Sequence, residues 1–238
     1  MRFSTSKLEL QKALQKLSKA IPTRTTLPIL GCVLIDAKEE HTTLKTTDLE
    51  ITIQVEVPSS LEEAGTAAVP LKTLLEITNE LPDIRVTISV NHKNNVTIKT
   101  ELGEYDIMAR PPEEFPATPE QKEATRITTS GEVLKKVIDA TAFAVSRDEL
   151  KPALTGVLMQ ITAKGITAVS TDGHRLVKHS QKDFEAGGFS GEIIVPKKFL
   201  LYLSSQLLKQ EVVLYFGETH LLAKFDNDLI LTRVINEK

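Results

Sequence analysis

One short segment of the chain is rich in side chains capable of acid–base and nucleophilic chemistry. Residues 170–176, Ser-Thr-Asp-Gly-His-Arg-Leu, combine a hydroxyl, a carboxylate and an imidazole, the groups of hydrolase nucleophile sets. The spacing argues against such a set, because adjacent residues in a strand or tight turn point in different directions and no Gly-x-Ser-x-Gly elbow is present. Asp172-Gly173 between two alternating apolar runs indicates a turn. We therefore expect a binding surface here, and no catalytic residue.

Three further patterns suggest chemistry only weakly. Gly187-Gly188-x-x-Gly191 lacks the Lys-Ser/Thr of a phosphate loop, so a flexible connection is expected. His174 and His179 have no Cys or acidic cluster nearby in the sequence, which predicts no metal site. Cys32, the one cysteine, lies in an apolar run and is predicted to be a core residue without an internal disulfide. We expect no cofactor.

The composition is typical of a globular protein. The chain has 238 residues, of which 41% are hydrophobic and 26% charged, with a net charge of −3. No apolar run approaches the roughly 18–20 residues of a membrane span, and the first residues have no apolar core of a secretory signal. These features, with the single cysteine, predict a cytoplasmic protein with no membrane partner. The net charge by itself does not favour a nucleic-acid binder.

The second half of the chain repeats the first. A shift of 124 residues superimposes Leu10, Lys12, Ala20, Pro28, Leu30, Val33, Leu34, Thr43, Thr47 and Asp48 on identical residues. Further along, the shift becomes 126 and Val69-Pro70 meets Val195-Pro196. A Pro-rich, charged segment at 111–125 separates the halves. We predict two tandem domains, residues 1–122 and 123–238.

The repeat also clarifies the polar segment. Thr47-Asp48 matches Thr171-Asp172, but the first copy lacks the Gly, His and Arg that follow. The shared Thr-Asp pair is therefore predicted to be structural, with its side chains satisfying backbone groups of a turn. Residues 173–176 are special to the second copy and are the better functional candidates.

Apolar periodicity predicts the elements that must position these residues. Helical spacing indicates helices at 7–20, 70–80, 130–143 and 196–209. A strand precedes each helix and three alternating runs follow it, so the order strand, helix, three strands occurs four times. Short turns between consecutive strands imply antiparallel sheets, each covered on one face by a helix. The predicted fold class is α+β.

Lysines concentrate on two of these helices. Lys7, Lys12, Lys16 and Lys19 outnumber Glu9 in the first helix, and Lys197, Lys198 and Lys209 lie in the fourth. Two interpretations remain open. The helices form one basic face on an otherwise acidic protein, or the lysines are ordinary solvated residues of amphipathic helices.

Several motifs together resemble the bacterial sliding clamp family, the beta subunit of the replicative DNA polymerase. They are Arg24-x-x-Leu27-Pro28-Ile29-Leu30-Gly31, Thr46-Thr47-Asp48-Leu49-Glu50, Val69-Pro70, Phe115-Pro116, Thr171-Asp172-Gly173-His174-Arg175-Leu176 and Ile194-Val195-Pro196-Lys197-Lys198. The resemblance runs in order along the whole chain. It implies domains of two helices and two antiparallel sheets that join into a ring, with helices lining the hole. Family subunits have three such domains, so a third is expected to be absent here, through truncation or through a two-domain subunit.

The resemblance implies a non-catalytic processivity factor that encircles duplex DNA without reading its sequence. Its DNA-facing residues would be Arg24, Lys72, Arg147, Lys197 and Lys198. A pocket for short peptides of the polymerase, the clamp loader and repair proteins would be lined by Leu154, Thr171, Gly173, His174, Arg175 and Leu176. The homo-oligomeric ring would close at an edge strand holding Tyr105 and Ile107, expected to be exposed here.

Two other functions remain as alternatives. A peptide-binding scaffold that does not bind DNA would be insensitive to charge reversal at Lys12, Lys197 and Lys198. A hydrolase centred on Asp172 and His174 would lose its turnover in a His174→Ala variant.

Overall fold

The computed structural model describes residues 1–38, 41–119 and 124–236. The chain divides into two compact units, Met1–Thr118 and Pro119–Lys238. The boundary predicted between residues 122 and 123 lies outside the described residues.

The first unit has nine strands and two α-helices within its described residues, 1–38 and 41–118. They are β1 (Arg2–Ser6), α1 (Lys7–Leu17), β2 (Cys32–Lys38), β3 (His41–Thr47), β4 (Ile51–Pro58), β5 (Ser60–Glu63), β6 (Gly65–Pro70), α2 (Leu71–Glu80), β7 (Arg85–Val90), β8 (Asn95–Thr100) and β9 (Gly103–Met108). Short 3-10 turns occupy Ser18–Ala20, Pro28–Gly31 and Pro112–Glu114.

The second unit repeats this order over residues 124–236, with eight strands and two α-helices. They are β10 (Thr125–Ser130), α3 (Gly131–Thr141), β11 (Gly156–Thr162), β12 (Gly165–Thr171), β13 (Leu176–Gln181), β14 (Gly191–Pro196), α4 (Lys197–Gln206), β15 (Glu211–Phe216), β16 (His220–Phe225) and β17 (Asp228–Arg233). Short 3-10 turns occupy Ala142–Ala144 and Pro152–Thr155.

The strands within each unit pair in antiparallel fashion. In the first unit, β5, β1, β7, β8 and β9 lie side by side in that order, and β4, β3, β2 and β6 form a second group. In the second unit, the two groups are β10, β15, β16, β17 and β13, β12, β11, β14. The predicted α+β class and the fourfold order of strand, helix and three strands are confirmed.

The helices are shorter than the periodicity predicted. A 3-10 turn replaces the end of the first helix, and Pro70 is the N-cap of α2 rather than its first residue. The helix predicted at 196–209 ends at Gln206, because the backbone of Leu207 is extended. Lys209 therefore lies beyond α4, and the number of lysines predicted on that helix was too high.

Each unit buries its helices as a neighbouring pair. α1 places Leu10, Leu14 and Leu17 in the core at helical spacing, and Ser6 caps it by accepting the Glu9 N–H. Gln11 on α1 donates to Asn79 on α2 over 2.7 Å. In the second unit, Lys135 on α3 donates to the Ser204 hydroxyl on α4 over 3.0 Å. Among the described residues, no helix is long and apolar enough to cross a membrane.

Candidate functional site

The turn between β12 and β13 is held by its first two residues. The Thr171 hydroxyl donates to the Arg175 carbonyl over 2.7 Å and accepts the Gly173 N–H over 3.1 Å. Oδ1 of Asp172 accepts the N–H groups of His174 and Arg175, both over 3.1 Å. Gly173 adopts a φ of +89°, and a Cβ there would meet no atom within 4 Å. The turn is thus closed locally and presents an open face at Gly173.

Arg175 is fixed from two sides. Its Nε donates to Oδ2 of Asp172 over 3.0 Å, and its Nη2 donates to the Phe143 carbonyl over 3.4 Å. Its guanidinium also lies 5.7 Å from the centre of the Phe143 ring. The N–H groups of Arg175 and His174, followed by the Arg175 side chain, lower the pKa of Asp172 below its ordinary value. Asp172 is therefore a stable anion committed to the turn, a poor general base for a hydrolase.

The first unit contains the same turn. The Thr47 hydroxyl donates to the Ile51 carbonyl over 2.9 Å, and Oδ1 of Asp48 accepts the N–H groups of Glu50 and Ile51. The prediction that the shared Thr-Asp pair is structural is confirmed in both copies. The residues that follow the pair distinguish the second copy.

Leu154 joins the turn region through the segment after α3. The Ser146 N–H donates to the Leu154 carbonyl over 2.7 Å. Ser146 lies three residues after Phe143, which contacts Arg175. Leu154 is half-buried, whereas Leu176 is 66% exposed and Phe143 54% exposed. Leu176 and Phe143 therefore present apolar side chains to solvent at the turn, and Leu154 is joined to the segment of Phe143 through the Ser146 backbone.

Phe143 was not among the predicted residues. The buried residues of α3 are Leu134, Val137, Ile138 and Thr141, and Ala144 continues the buried set. Phe143 falls off that periodic face, which was the available sequence signal for an outward-pointing aromatic side chain. The contact of Phe143 with Arg175 could not be predicted in this way, because Arg175 is distant in sequence.

The predicted DNA-facing residues lie in equivalent places of the two units. Lys72 and Lys198 are the second residues of α2 and α4, and both are exposed. Lys197 opens α4 and is half-buried. Arg24 and Arg147 lie exposed in the segments that connect each first helix to its next strand.

Several helix lysines are paired with acids, which reduces the predicted basic faces. Lys12 lies 3.1 Å from Glu9. On α3, both lysines are paired, Lys135 with Asp139 at 2.9 Å and Lys136 with Glu132 at 3.0 Å. Lys72 lies 3.9 Å from Glu76. Within the described ranges, Arg24, Arg147 and Lys197 make no ion pair, so their charge is available to a ligand.

The residues predicted for the subunit edge lie on an outer strand of the first unit. β9 is the outermost strand of its sheet, next to β8. Tyr105 is 39% exposed, but Ile107 is only 8% exposed. The Ile107 side chain therefore points into the core of the unit, and its part in a subunit contact stays a prediction. Tyr105 and the strand backbone remain as the accessible groups.

One prediction about a titratable side chain can be compared with the structure. Cys32 is buried, as predicted, and burial raises the pKa of its thiol. Across the described part of the chain, no three His, Cys, Asp or Glu side chains are grouped closely enough to hold a metal ion.

Comparison with known families identifies the two units. Residues 1–119 match the N-terminal domain of the DNA polymerase III beta subunit, and residues 128–238 match its central domain. The chain belongs to the DNA polymerase III beta subunit family. The resemblance carried by the sequence motifs is thereby confirmed, including its two-domain extent.

Relatives within the beta subunit family cover the whole chain. A beta sliding clamp from Chlamydia muridarum is 28% identical over an alignment of 239 positions, which covers 99% of this chain and 65% of that protein. The crystal structure of a sliding clamp from Bacillus subtilis matches with a TM-score of 0.94 at 28% identity, over 100% of this chain and 65% of that one. A Pseudomonas aeruginosa clamp bound to griselimycin matches with a TM-score of 0.93 at 27% identity, over 100% and 65%. The chain thus spans 65% of the length of these relatives.

Proposed function

We propose that this chain acts as part of a sliding clamp, a non-catalytic processivity factor that encircles duplex DNA and tethers the replicative polymerase. The observation that carries the proposal is the match of its two units to consecutive domains of one family whose relatives are named sliding clamps. The duplicated units, each with a neighbouring pair of helices, support it.

The proposed DNA contacts are electrostatic. Arg24, Lys72, Arg147, Lys197 and Lys198 would meet phosphates, and long cationic side chains without base contacts bind every duplex sequence alike. Contacts of this kind break and re-form readily, as a sliding protein requires. Affinity should therefore fall steeply with salt and depend little on DNA sequence.

The proposed partner site is the turn of β12–β13 with Leu154. Leu154 and Leu176 would form apolar walls, and Gly173 would let a peptide backbone approach closely. Thr171 and Asp172 hold the turn, and Arg175 and His174 line it. The Pseudomonas aeruginosa relative that binds griselimycin supports a ligand site on this fold. The ligands would be short peptides of the polymerase, the clamp loader and repair proteins.

The proposed ring contact uses the outer edge of β9. The free N–H and C=O groups of an edge strand can pair with a strand of another subunit, and Tyr105 would contribute side-chain contact. Light scattering over a concentration series tests whether this chain assembles by itself.

A salt titration tests DNA binding directly. Anisotropy of two labelled duplexes of unrelated sequence should report equal affinities that fall between about 50 and 200 mM salt. Lys197→Glu should weaken both and reduce the log–log salt slope by roughly 0.9 for each phosphate that is no longer neutralised. Lys164→Glu is the matched control, since this exposed lysine lies in the β11–β12 turn. Equal effects of the two variants would contradict a specific DNA face.

A peptide-binding scaffold that does not bind DNA remains the second candidate. The ion pairs that neutralise lysines on α1 and α3, with the net charge of −3, favour it. It predicts salt-insensitive peptide binding and no effect of Lys197→Glu on any activity of the protein.

A further inference from the structure

Three helices hold an exposed lysine beside an acid of the same helix. The pairs are Lys12 with Glu9 on α1 at 3.1 Å, Lys72 with Glu76 on α2 at 3.9 Å, and Lys136 with Glu132 on α3 at 3.0 Å. We call these residues the helix lysines and the helix acids. Partners three or four residues apart lie on the same face of a helix, so each acid reaches its lysine from within its own helix.

The helix acids do not hold their helices in place. A fourth pair on α3 does, because Ser204 on α4 accepts from Lys135 and donates to Asp139. In the part of the chain that the structure describes, no hydrogen bond or ion pair joins the side chain of a helix acid to another helix or strand. Exposed pairs of this kind contribute little to stability and break easily. The helix lysines are therefore available to a stronger anion.

The fourth helix differs from the other three. α4 begins with Lys197 and Lys198 and contains no acidic residue. The internal repeat aligns Lys72 with Lys198, and it aligns Glu76 with Tyr202. The Tyr202 side chain is buried. No carboxylate of α4 itself therefore competes for the lysines at its start.

The helix lysines extend the proposed DNA contacts, since Lys72 is already one of them and Lys12 and Lys136 would add contacts on α1 and α3. We propose that the helix acids set the strength of DNA binding by competing with phosphates for the helix lysines, which leaves the firmest helix contacts to α4. A helix lysine can neutralise a phosphate only after it leaves its acid, and the acid then remains close enough to repel that phosphate. This inference rests on the proposed clamp function and deepens it.

The competition at each pair is modest. Glu132 shows it from the side of the acid, because the hydrogen bond and the charge of Lys136 lower the pKa of Glu132 below its ordinary value of 4.5. An exposed pair one helical turn apart corresponds to about a twofold effect on an equilibrium. Each helix contact is thus weakened slightly and exchanges readily, as movement along a duplex requires.

Neutralising the helix acids tests the proposal in the intact chain. Glu9→Gln, Glu76→Gln and Glu132→Gln keep the shape of the side chain and remove its charge. At about 50 mM salt, anisotropy of a labelled duplex should show binding about twofold tighter for each variant and about five- to tenfold tighter for the triple variant. The log–log salt slope should become steeper, because a released lysine neutralises its phosphate fully. Unchanged affinity and slope in the triple variant would overturn the proposal.

Glu62→Gln is the matched control. Glu62 lies 3.0 Å from Arg2, the distance that also separates Glu132 from Lys136, but it belongs to strand β5. The variant makes the same change in net charge and also frees one cation. A general electrostatic effect would therefore tighten DNA binding as much as Glu132→Gln does. Equal gains for these two variants would refute a specific role of the helix acids.

Removing a lysine gives a second readout. Lys72→Gln should reduce affinity only slightly in the parent chain, where Glu76 already holds that lysine. The same substitution should have an effect about twofold larger in the Glu76→Gln background, in which the lysine can meet a phosphate without competition. An equal effect in both backgrounds would contradict competition. Lys197→Gln on α4 should weaken binding more than Lys72→Gln does in the parent chain, and a smaller effect would contradict the firmer contact of α4.

The same titrations separate this inference from the clamp function. Salt-dependent DNA binding by the parent chain, without a gain in the triple variant, would leave the clamp function standing and refute the competition. Absence of duplex binding by both the parent chain and the triple variant at about 50 mM salt would refute both.

Discussion

Leu49 and Gly173 have the same left-handed backbone conformation, with φ angles of +79° and +89°. They are the third residues of the two Thr-Asp turns, and the hydrogen bonds around them are equivalent. Leucine pays a conformational penalty in this region that glycine does not. Leu49 is 58% exposed, so packing of its side chain offsets little of that penalty.

Leu49→Gly should therefore stabilise the first unit by about 1 kcal/mol, an unusual direction for a mutation to glycine. Gly173→Ala should destabilise the second unit by about the same amount, through φ alone, since its Cβ would meet no atom within 4 Å. Urea unfolding measures both. Gly31→Ala is the control, because that glycine has equal space and no positive φ. A destabilising Leu49→Gly would contradict the backbone interpretation.

Asp172 should make the stability of the second unit depend on pH. Its folded pKa lies below the ordinary value of 3.8, so the carboxylate stabilises the fold above that value, and this contribution disappears as the pH falls through the folded pKa. Asp172→Asn should lower the unfolding midpoint at pH 7. The difference in unfolding midpoint between the variant and the parent protein should disappear in strong acid. A difference that persists below the folded pKa would mean that the charge of Asp172 is not its cause.

The hydroxyl of Ser204 should contribute to the packing of α4 on α3. Ser204 is buried, accepts from Lys135 and donates to Asp139. Ser204→Ala should cost about 1 kcal/mol, because it removes two hydrogen bonds and leaves their partners less well satisfied. Ser205→Ala is the control, as that exposed hydroxyl bonds only within α4. Equal unfolding free energies for the two variants would argue against the bridge.

Tyr202→Phe should stabilise the second unit by about 1 kcal/mol. The phenol oxygen is buried and has no hydrogen-bond partner among the described residues. Burial, and then Asp228, raises its pKa, so the group stays a neutral phenol at every ordinary pH. Removing an unsatisfied hydroxyl abolishes a desolvation cost while retaining the ring. Thermal unfolding measures the effect, and a loss of stability would reveal a partner of the hydroxyl.

The double variant His174→Ala and Leu176→Ala should weaken the binding of polymerase-derived peptides. Leu176 is 66% exposed and forms the apolar wall of the proposed pocket, so its truncation should reduce affinity about tenfold or more. Leu208→Ala is the control, since this leucine is 75% exposed but lies after α4. Calorimetric titration compares them, and unchanged affinity in the double variant would refute the pocket.

Apolar periodicity along the sequence predicted much of the fold. The order of strands and helices follows from burial patterns that repeat along the chain, and α1 buries Leu10, Leu14 and Leu17 at the spacing that defined it. β5 was missed because its sequence, Ser-Leu-Glu-Glu, does not alternate and its pairing is with the distant β1. The burial of the Ile107 side chain was not predicted, because the other residues of β9 are exposed and alternation did not identify an inner face.

In the candidate site too, contacts between residues near in sequence were predictable and contacts between distant residues were not. The Thr171-Asp172 turn was predictable, since its hydrogen bonds join residues two to four apart. The contact of Phe143 with Arg175 was not, because it joins residues 32 apart through folding of the second unit. Pairing of the α3 lysines with acids four residues away was accessible from the sequence and limits the basic surface.

The two Thr-Asp turns also have an evolutionary consequence. Threonine and aspartate at the first two positions supply the side-chain hydrogen bonds that close each turn. The side chains at the third and fourth positions make none of these bonds. After gene duplication, Leu49-Glu50 and Gly173-His174 could diverge at exposed positions while the bonds that close the turn were kept, with a conformational cost only where leucine holds a positive φ. If the second turn binds partner peptides as proposed, new side chains on an already closed turn were sufficient for that function, and no change of fold was required.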